Sequence, residues 1–336
     1  NAYLYNNMVN MDLGEAYDGA SSANLANSEG IRGIDVNYSQ TANSFLYFNT
    51  VRIAGSGNST SAFGSSALSL SVASGPTVTL KNNILVNKAV AGATGNSVAF
   101  RKANAVLAAY ASGSSNNLFY VDTTARGIMF SENGTAYNTL SGNWITGGRE
   151  TNSYTQYEPI FVSAPDGSDK LHLDARFNCP MKGTGVVIST PPITDDIDGD
   201  TRPNPSLTQP DIGADEVLDN TGSGQLVGKW IGVNTNWNDS LNWCGYIPKP
   251  TTNVSIATSS FYPAIDATTV PVPVCNNITL NTGGVVNNNF GGKMKIYGSI
   301  ANTGGTFNTK LGTIEMAGSA AQTIPTGVFA GDILRN

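Results

Sequence analysis

Two six-residue stretches constrain this chain more than any other feature: Lys81-Asn82-Asn83-Ile84-Leu85-Val86 and Ser115-Asn116-Asn117-Leu118-Phe119-Tyr120, which lie 34 residues apart. An Asn pair followed by an apolar run, recurring at one spacing, suits a coil that turns sharply at the Asn and then enters a strand. Side-chain amides of successive coils can then stack and hydrogen-bond along the axis. That is the pattern of a β-solenoid, whereas a β-sandwich with irregular loops gives no reason for an amide at the same strand edge. Two-residue alternation elsewhere agrees: Phe45, Tyr47, Val51 and Ile53, then Val78, Leu80, Ile84 and Val86. Solenoid coils are commonly shorter than this spacing, so loops are expected between rungs, with Gly55 to Ser66 as one. Ser97 to Tyr110 is Ala-rich, with Arg101, Lys102, Val106 and Leu107, and reads as a short helix or loop leaving the stack.

Composition narrows the function classes. Only 12% of residues are charged, against roughly 25% in ordinary soluble domains. The 37 Gly and 15 Pro oppose helices and favour short strands joined by turns. An apolar share of 40% is too high for disorder. No run approaches the ~20 apolar residues of a membrane helix, so no transmembrane segment is expected. A net charge of -6 with 18 scattered Lys and Arg argues against a nucleic-acid partner. With no basic or apolar leader after Asn1, and an apolar-patterned stretch from Ala330 to Arg335, the chain reads as a piece of a longer secreted protein.

Thr221 to Gln225 has linker composition. The expected division is 1–221, the C-terminal coils and cap of a β-helix, and 222–336, a second β-rich, solenoid-like module truncated at its C-terminal end. In the second part Val254–Ile256, Ile278–Leu280, Met294–Ile296 and Thr313–Met316 read as strands between Gly-rich turns. Their steps of roughly 16 to 20 residues suggest a solenoid or a meander.

Four groups of residues carry candidate chemistry. Asp195, Asp196, Asp198 and Asp200 form D-D-I-D-G-D, and alternate carboxylates beside a Gly resemble a calcium loop, with Asp196, Asp198 and Asp200 as ligands. The twelfth position, where a bidentate Glu belongs, is Leu207. The preferred rival is internal pairing of Arg202 with these acids, Asp211 and Glu216, as a cap over the last coil; no cofactor is then required. His172, the one histidine, alternates with Leu171 and Leu173, which reads as a surface position and opposes His-based catalysis. Trp230, Trp237 and Trp243 could stack on sugars, but packing over the end of a β core is preferred. Cys244 and Cys275 are the natural disulfide pair in an oxidising compartment, worth about 3–4 kcal/mol by chain entropy. Three buried thiols are the alternative.

Two segments resemble known families. Glu158 to Ser163, Leu171-His172-Leu173 and Asp195 to Glu216 resemble the ending of bacterial secreted right-handed parallel β-helix proteins of the choice-of-anchor type. Trp230, Trp237, Asn242 and Trp243, with Pro248, Cys275 to Leu280 and Ala321 to Pro325, resemble modules repeated in very large surface proteins of Gram-negative gliding bacteria exported by the type IX secretion system. The resemblance implies an all-β chain: a right-handed parallel β-helix followed by a second β-rich module. It implies a structural or adhesive role at the cell surface, with gliding motility in its setting. Partners would be other modules of the same chain, surface glycans, or secretion and outer-membrane proteins. The alternative is a polysaccharide-active β-helix lyase or hydrolase with an accessory carbohydrate-binding module, since fold does not dictate function.

Overall fold

The structure, a computed structural model, describes residues 1–12, 30–37, 42–56, 62–71, 76–103, 109–122, 126–140, 148–155, 157–162, 171–174, 178–205, 207–218, 228–245, 247–309 and 311–329. The linker stretch Thr221 to Gln225, the middle of the loop between Gly55 and Ser66, and Ala330 to Arg335 lie outside the described residues. The chain divides into two compact units, 1–174 with 181–220, and 175–180 with 221–336.

Unit 1 is built from parallel strands in three sheets. Coil 1 contributes β1 (Ala2–Tyr5), β2 (Met8–Asp12) and β3 (Ile31–Val36); coil 2 contributes β4 (Ser44–Tyr47), β5 (Thr50–Ser56) and β6 (Ser65–Leu70). Coil 3 holds β7 (Val78–Lys81), β8 (Ile84–Val90) and β9 (Ser97–Lys102); coil 4 adds β10 (Leu118–Val121) and β11 (Gly127–Glu132). The sheets run β1-β4-β7, β2-β5-β8-β10-β13 and β3-β6-β9-β11-β12, with β12 (Thr135–Tyr137) and β13 (Tyr154–Thr155) at the far edges. Every pairing is parallel except β11 with β12. Strand order and register are those of a parallel β-helix, and helix is almost absent from the described residues.

Register explains the core. Because side chains alternate across a strand, stacked positions form inward columns: Val9, Val51, Leu85 and Phe119 on one side, and Ile34, Leu68, Phe100 and Phe130 on another. The columns thicken with each coil until aromatic rings fill the interior. Phe119 meets Phe130 edge-on at 4.8 Å and Phe100 meets Tyr110 at 5.3 Å. This sharpens one reading and corrects another. The 34-residue spacing is itself one coil of three strands, Leu118 pairing with Ile84 as Ile84 pairs with Thr50. Ser97 to Lys102 is strand β9 within the stack, because Val98 and Phe100 belong to the inward pattern; 104–108 lie outside the described residues.

Unit 2 repeats the plan with shorter coils. Its sheets are β14 (Val254–Ile256), β17 (Ile278–Leu280) and β20 (Ile300–Asn302); β15 (Ala264–Ile265), β18 (Val285–Asn288) and β21 (Thr306–Asn308); and β16 (Val274–Cys275), β19 (Lys293–Ile296) and β22 (Thr313–Met316). Val254 pairs with Ile278 and Ile278 with Ile300, so a coil takes 24 and then 22 residues. Of the shorter steps seen in the sequence, β17 to β19 joins strands of different sheets, whereas β19 to β22 is a coil of 20 residues, Met294 pairing with Ile314. Inward columns such as Cys275, Ile296 and Met316 leave Lys295 to pair outward with Glu315 at 3.1 Å.

Candidate functional site

The Asn pairs sit at the corner entering the second sheet of unit 1. Asn6, Phe48, Asn82, Asn116 and Asn152 occupy left-handed backbone there, with φ between 53° and 59°, a conformation Asn tolerates better than most residues. The next position makes a ladder. Asn7 Nδ2 donates to Asn49 Oδ1 at 2.8 Å, Asn49 Nδ2 to Asn83 Oδ1 at 2.9 Å, and Asn83 Nδ2 to Asn117 Oδ1 at 2.9 Å. Each interior rung also accepts a backbone N–H from its neighbour, as Asn83 Oδ1 does from Asn49 N at 3.1 Å. Glu150 ends the ladder: Asn117 Nδ2 and Ser153 Oγ donate to its carboxyl at 3.0 and 2.5 Å, and the Tyr110 hydroxyl contacts it. Burial pushes the Glu150 carboxyl up to about 8, with Ser153 opposing.

Residues 183–217 lie along that corner as a strap. Asn116 Nδ2 donates to Thr184 O, Asn82 exchanges hydrogen bonds of 2.8 and 2.9 Å with the Val186 backbone, and Asn6 Nδ2 donates to Asp195 O. Ile188 and Ile193 pack on Tyr47 and Phe48 between them. The strap therefore crosses coils 4, 3, 2 and 1 in turn, along the flank of the stack, where the sequence suggested a lid over the last coil. The chain returns through Gly213, whose amide donates to Asn82 O at 2.8 Å. Gly213 has φ 107°, and a Cβ there would lie 2.6 Å from Ile84 Cδ1, so the close approach requires glycine.

The acids of the strap do different jobs. Arg202 Nη1 pairs with Glu216 Oε2 at 3.2 Å and donates to Asp211 O at 3.1 Å; its guanidinium lies 4.1 Å from the Phe48 ring centroid, a cation–π contact. Burial pulls the Arg202 guanidinium down, opposed by Glu216 and three aspartates. Glu216 accepts from Asn204 N and Asp211 N; Asp211 accepts from Gly183 N and Val217 N. Burial and the neighbouring Glu216 push the Asp211 carboxyl up to about 8. Asp196 organises the D-D-I-D-G-D loop by accepting the amides of Asp198, Asp200 and Glu216 at 2.8–2.9 Å.

The three aspartates read as calcium ligands thus part company. Among the described residues, the donors that converge are His172, Asp198 and Asp215. His172 Nε2 lies 2.6 Å from Asp198 Oδ2, and Asp215 Oδ2 accepts the Leu173 amide at 2.7 Å. His172 and Asp215 were not among the expected ligands. No local spacing could have shown it, since His172 and Asp198 lie 26 residues apart in the chain.

In unit 2, Trp230, Trp237 and Trp243 are all buried and meet edge-on at 4.6 and 4.9 Å or tilted at 6.5 Å. Trp230 Nε1 donates to Phe261 O and Trp243 Nε1 to Trp237 O, both at 2.7 Å. Their faces pack over the first coil, joined by the Trp230 amide donating to Ser255 O, and offer no exposed stacking platform. The Cys244–Cys275 bond is a correction: Cys179, Cys244 and Cys275 are all buried thiols. Cys275 faces the apolar interior of β16, and burial pushes its thiol up.

One further cluster lies on the outer face of β8 and β10. Lys88 Nζ contacts Glu158, while the Tyr120 hydroxyl lies 3.2 Å from both Asp122 Oδ1 and Glu158 Oε2. Burial, then these two carboxylates, push the Tyr120 phenol up. No family model matches the chain, and neither a characterised protein nor a solved structure matches it. The class is set by fold and site: an all-β protein of stacked parallel coils, braced along one corner by a carboxylate-rich strap.

Proposed function

We propose that the chain is a non-catalytic segment of a large extracellular surface protein of a Gram-negative bacterium, serving as a structural stalk or adhesive region. The observation that carries the reading is the amide ladder from Asn7 to Asn117, closed by Glu150. Side chains able to do chemistry are spent on joining one coil to the next. Buried Lys102 with Glu132, 3.1 Å apart between β9 and β11, acts the same way, while Arg202 with Glu216 ties the strap to itself. Partners are then other modules of the same chain, surface glycans, or secretion and outer-membrane proteins. Displaying the chain between an outer-membrane anchor and an epitope on a non-adherent cell tests this. A stalk extends the reach of the epitope, and an adhesive region retains cells on glycan-coated surfaces; neither effect would overturn the proposal.

A second reading, a polysaccharide-active enzyme, is favoured by the Lys88, Tyr120, Asp122 and Glu158 cluster on one sheet face, where a base, a proton donor and carboxylates adjoin. Against it, Glu158 neutralises Lys88 and the phenol is held protonated. Incubation with polyuronates, read by new reducing ends or unsaturated products and compared with Lys88→Ala, decides between the two.

A further inference from the structure

The donors of His172, Asp198 and Asp215 hold no coil to its neighbour, yet they converge within 4.8 Å of one another. Two pieces of chain supply them. His172 lies beside the antiparallel bridge between Phe161 and Leu173, with Val162 N donating to His172 O at 2.8 Å. Asp198 and Asp215 come from the strap. Asp215 is only 8% exposed; its Oδ2 accepts the Leu173 amide, whereas its other oxygen accepts no hydrogen bond from the described residues. That carboxylate sits beside an imidazole nitrogen and a second carboxylate, all within 4.8 Å of one another. Asp196 and Asp198 add to the negative field at Asp215, with His172 opposing. A cation among the three groups would relieve the repulsion between the carboxylates.

Donor chemistry selects the ion. One imidazole nitrogen and two carboxylates are a borderline set, suited to zinc, manganese or cobalt; calcium and magnesium prefer all-oxygen cages. Three protein ligands leave a position open to water or a further ligand. Ligand bonds of about 2.0–2.2 Å put two donors about 3–4 Å apart around one ion. The present separations, 2.6 Å for His172 to Asp198 and at most 4.8 Å overall, bracket that spacing.

We propose that His172, Asp198 and Asp215 form a binding site for a borderline divalent metal ion of the zinc class, which clamps residues 171–174 to the strap. The site is independent of the stalk reading, since either a stalk or an enzyme could carry it. The test is calorimetric titration of the chelator-stripped chain with zinc, and separately with calcium, on wild type, His172→Ala, Asp198→Asn and Asp200→Asn. Asp198 is solvent-exposed, so its amide variant folds, which thermal melting of each protein verifies. Expected are one zinc ion per chain and a raised melting temperature. The affinity falls by at least about 100-fold in His172→Ala and Asp198→Asn, beyond what loss of a supporting partner causes, and is unchanged in Asp200→Asn. Absence of micromolar zinc binding, zinc binding indifferent to the first two variants, or calcium binding lost in Asp200→Asn would each overturn the site.

Discussion

Replacing Asn83 with alanine removes the middle of the amide ladder. Asn83 Oδ1 accepts from Asn49 N and Nδ2, and Asn83 Nδ2 faces three acceptors: Leu46 O, Lys81 O and Asn117 Oδ1. Two protons serve at most two of those acceptors, so four hydrogen bonds are lost. Asn49 Nδ2 keeps Leu4 O at 3.0 Å, but the buried Asn49 N–H is left without an acceptor. At about 1 kcal/mol per bond, with an unsatisfied buried donor at the upper end, the loss is about 3–5 kcal/mol. Asn277 in unit 2 provides the control: it donates to Asn253 Oδ1 and accepts from Ser299 N, with the bonds open to solvent. Asn277→Ala should cost about 1 kcal/mol or less. Amide exchange followed by mass spectrometry reads both. Peptides covering β5 and β8 should exchange about a hundredfold to a few thousandfold faster in Asn83→Ala, at 1.4 kcal/mol per tenfold. Equal effects of the two substitutions would refute the claim that burial, and not the amide pattern itself, gives the ladder its strength.

Three other outcomes are expected. Glu150 is held near 8 when folded and returns to an ordinary 4.5 when unfolded, so its contribution is full below 4.5 and lost as pH rises toward 8. Glu150→Gln should match wild type near pH 5 and exceed it near pH 8 in denaturant unfolding; parallel pH profiles would contradict this. Phe48→Asn relieves a left-handed backbone worth about 1–2 kcal/mol, but it removes a fully buried ring worth about 3–5 kcal/mol and the Arg202 contact. The variant should melt lower; a higher melting temperature would mean that backbone strain dominates. Mass mapping under non-reducing conditions should find three alkylatable thiols after unfolding and none reactive before it; a 244–275 cross-linked peptide would restore the disulfide.

The fold class was legible because the Asn-Asn-apolar unit recurs unchanged in coils 3 and 4. The same unit stands at Tyr5-Asn6-Asn7-Met8, where a longer coil 1 shifts the spacing to 42 residues. In coil 2 the corner holds Phe48, so Asn49 shows no pair. That exception has a cause elsewhere: the ring receives the Arg202 guanidinium. Sites depending on such return contacts were hidden. Asn82 meets Val186 over 104 residues, and neither periodicity nor local chemistry reports a partner at that range. The strap carboxylates show why a motif is a poor guide to ligation, since Asp196 spends its oxygens on loop amides and leaves Asp198 to meet His172. The helix-or-loop reading failed over Ser97 to Lys102, because the alternation of Val98 and Phe100, both fully buried, outweighs any local helix preference.

The strap also imposes an order of events. A chain emerging N-terminus first can lay each coil on the one before, yet Asn6 waits for Asp195, 189 residues later, before its amide is engaged. Until then the corner presents an open row of Asn6, Asn82 and Asn116 amides, and the coils are fastened only to their neighbours. The strap arrives last and engages the coils in the reverse of their order of synthesis. It acts as a latch, so a nascent chain stays loose along one edge until the strap has emerged, and becomes hard to reopen afterwards.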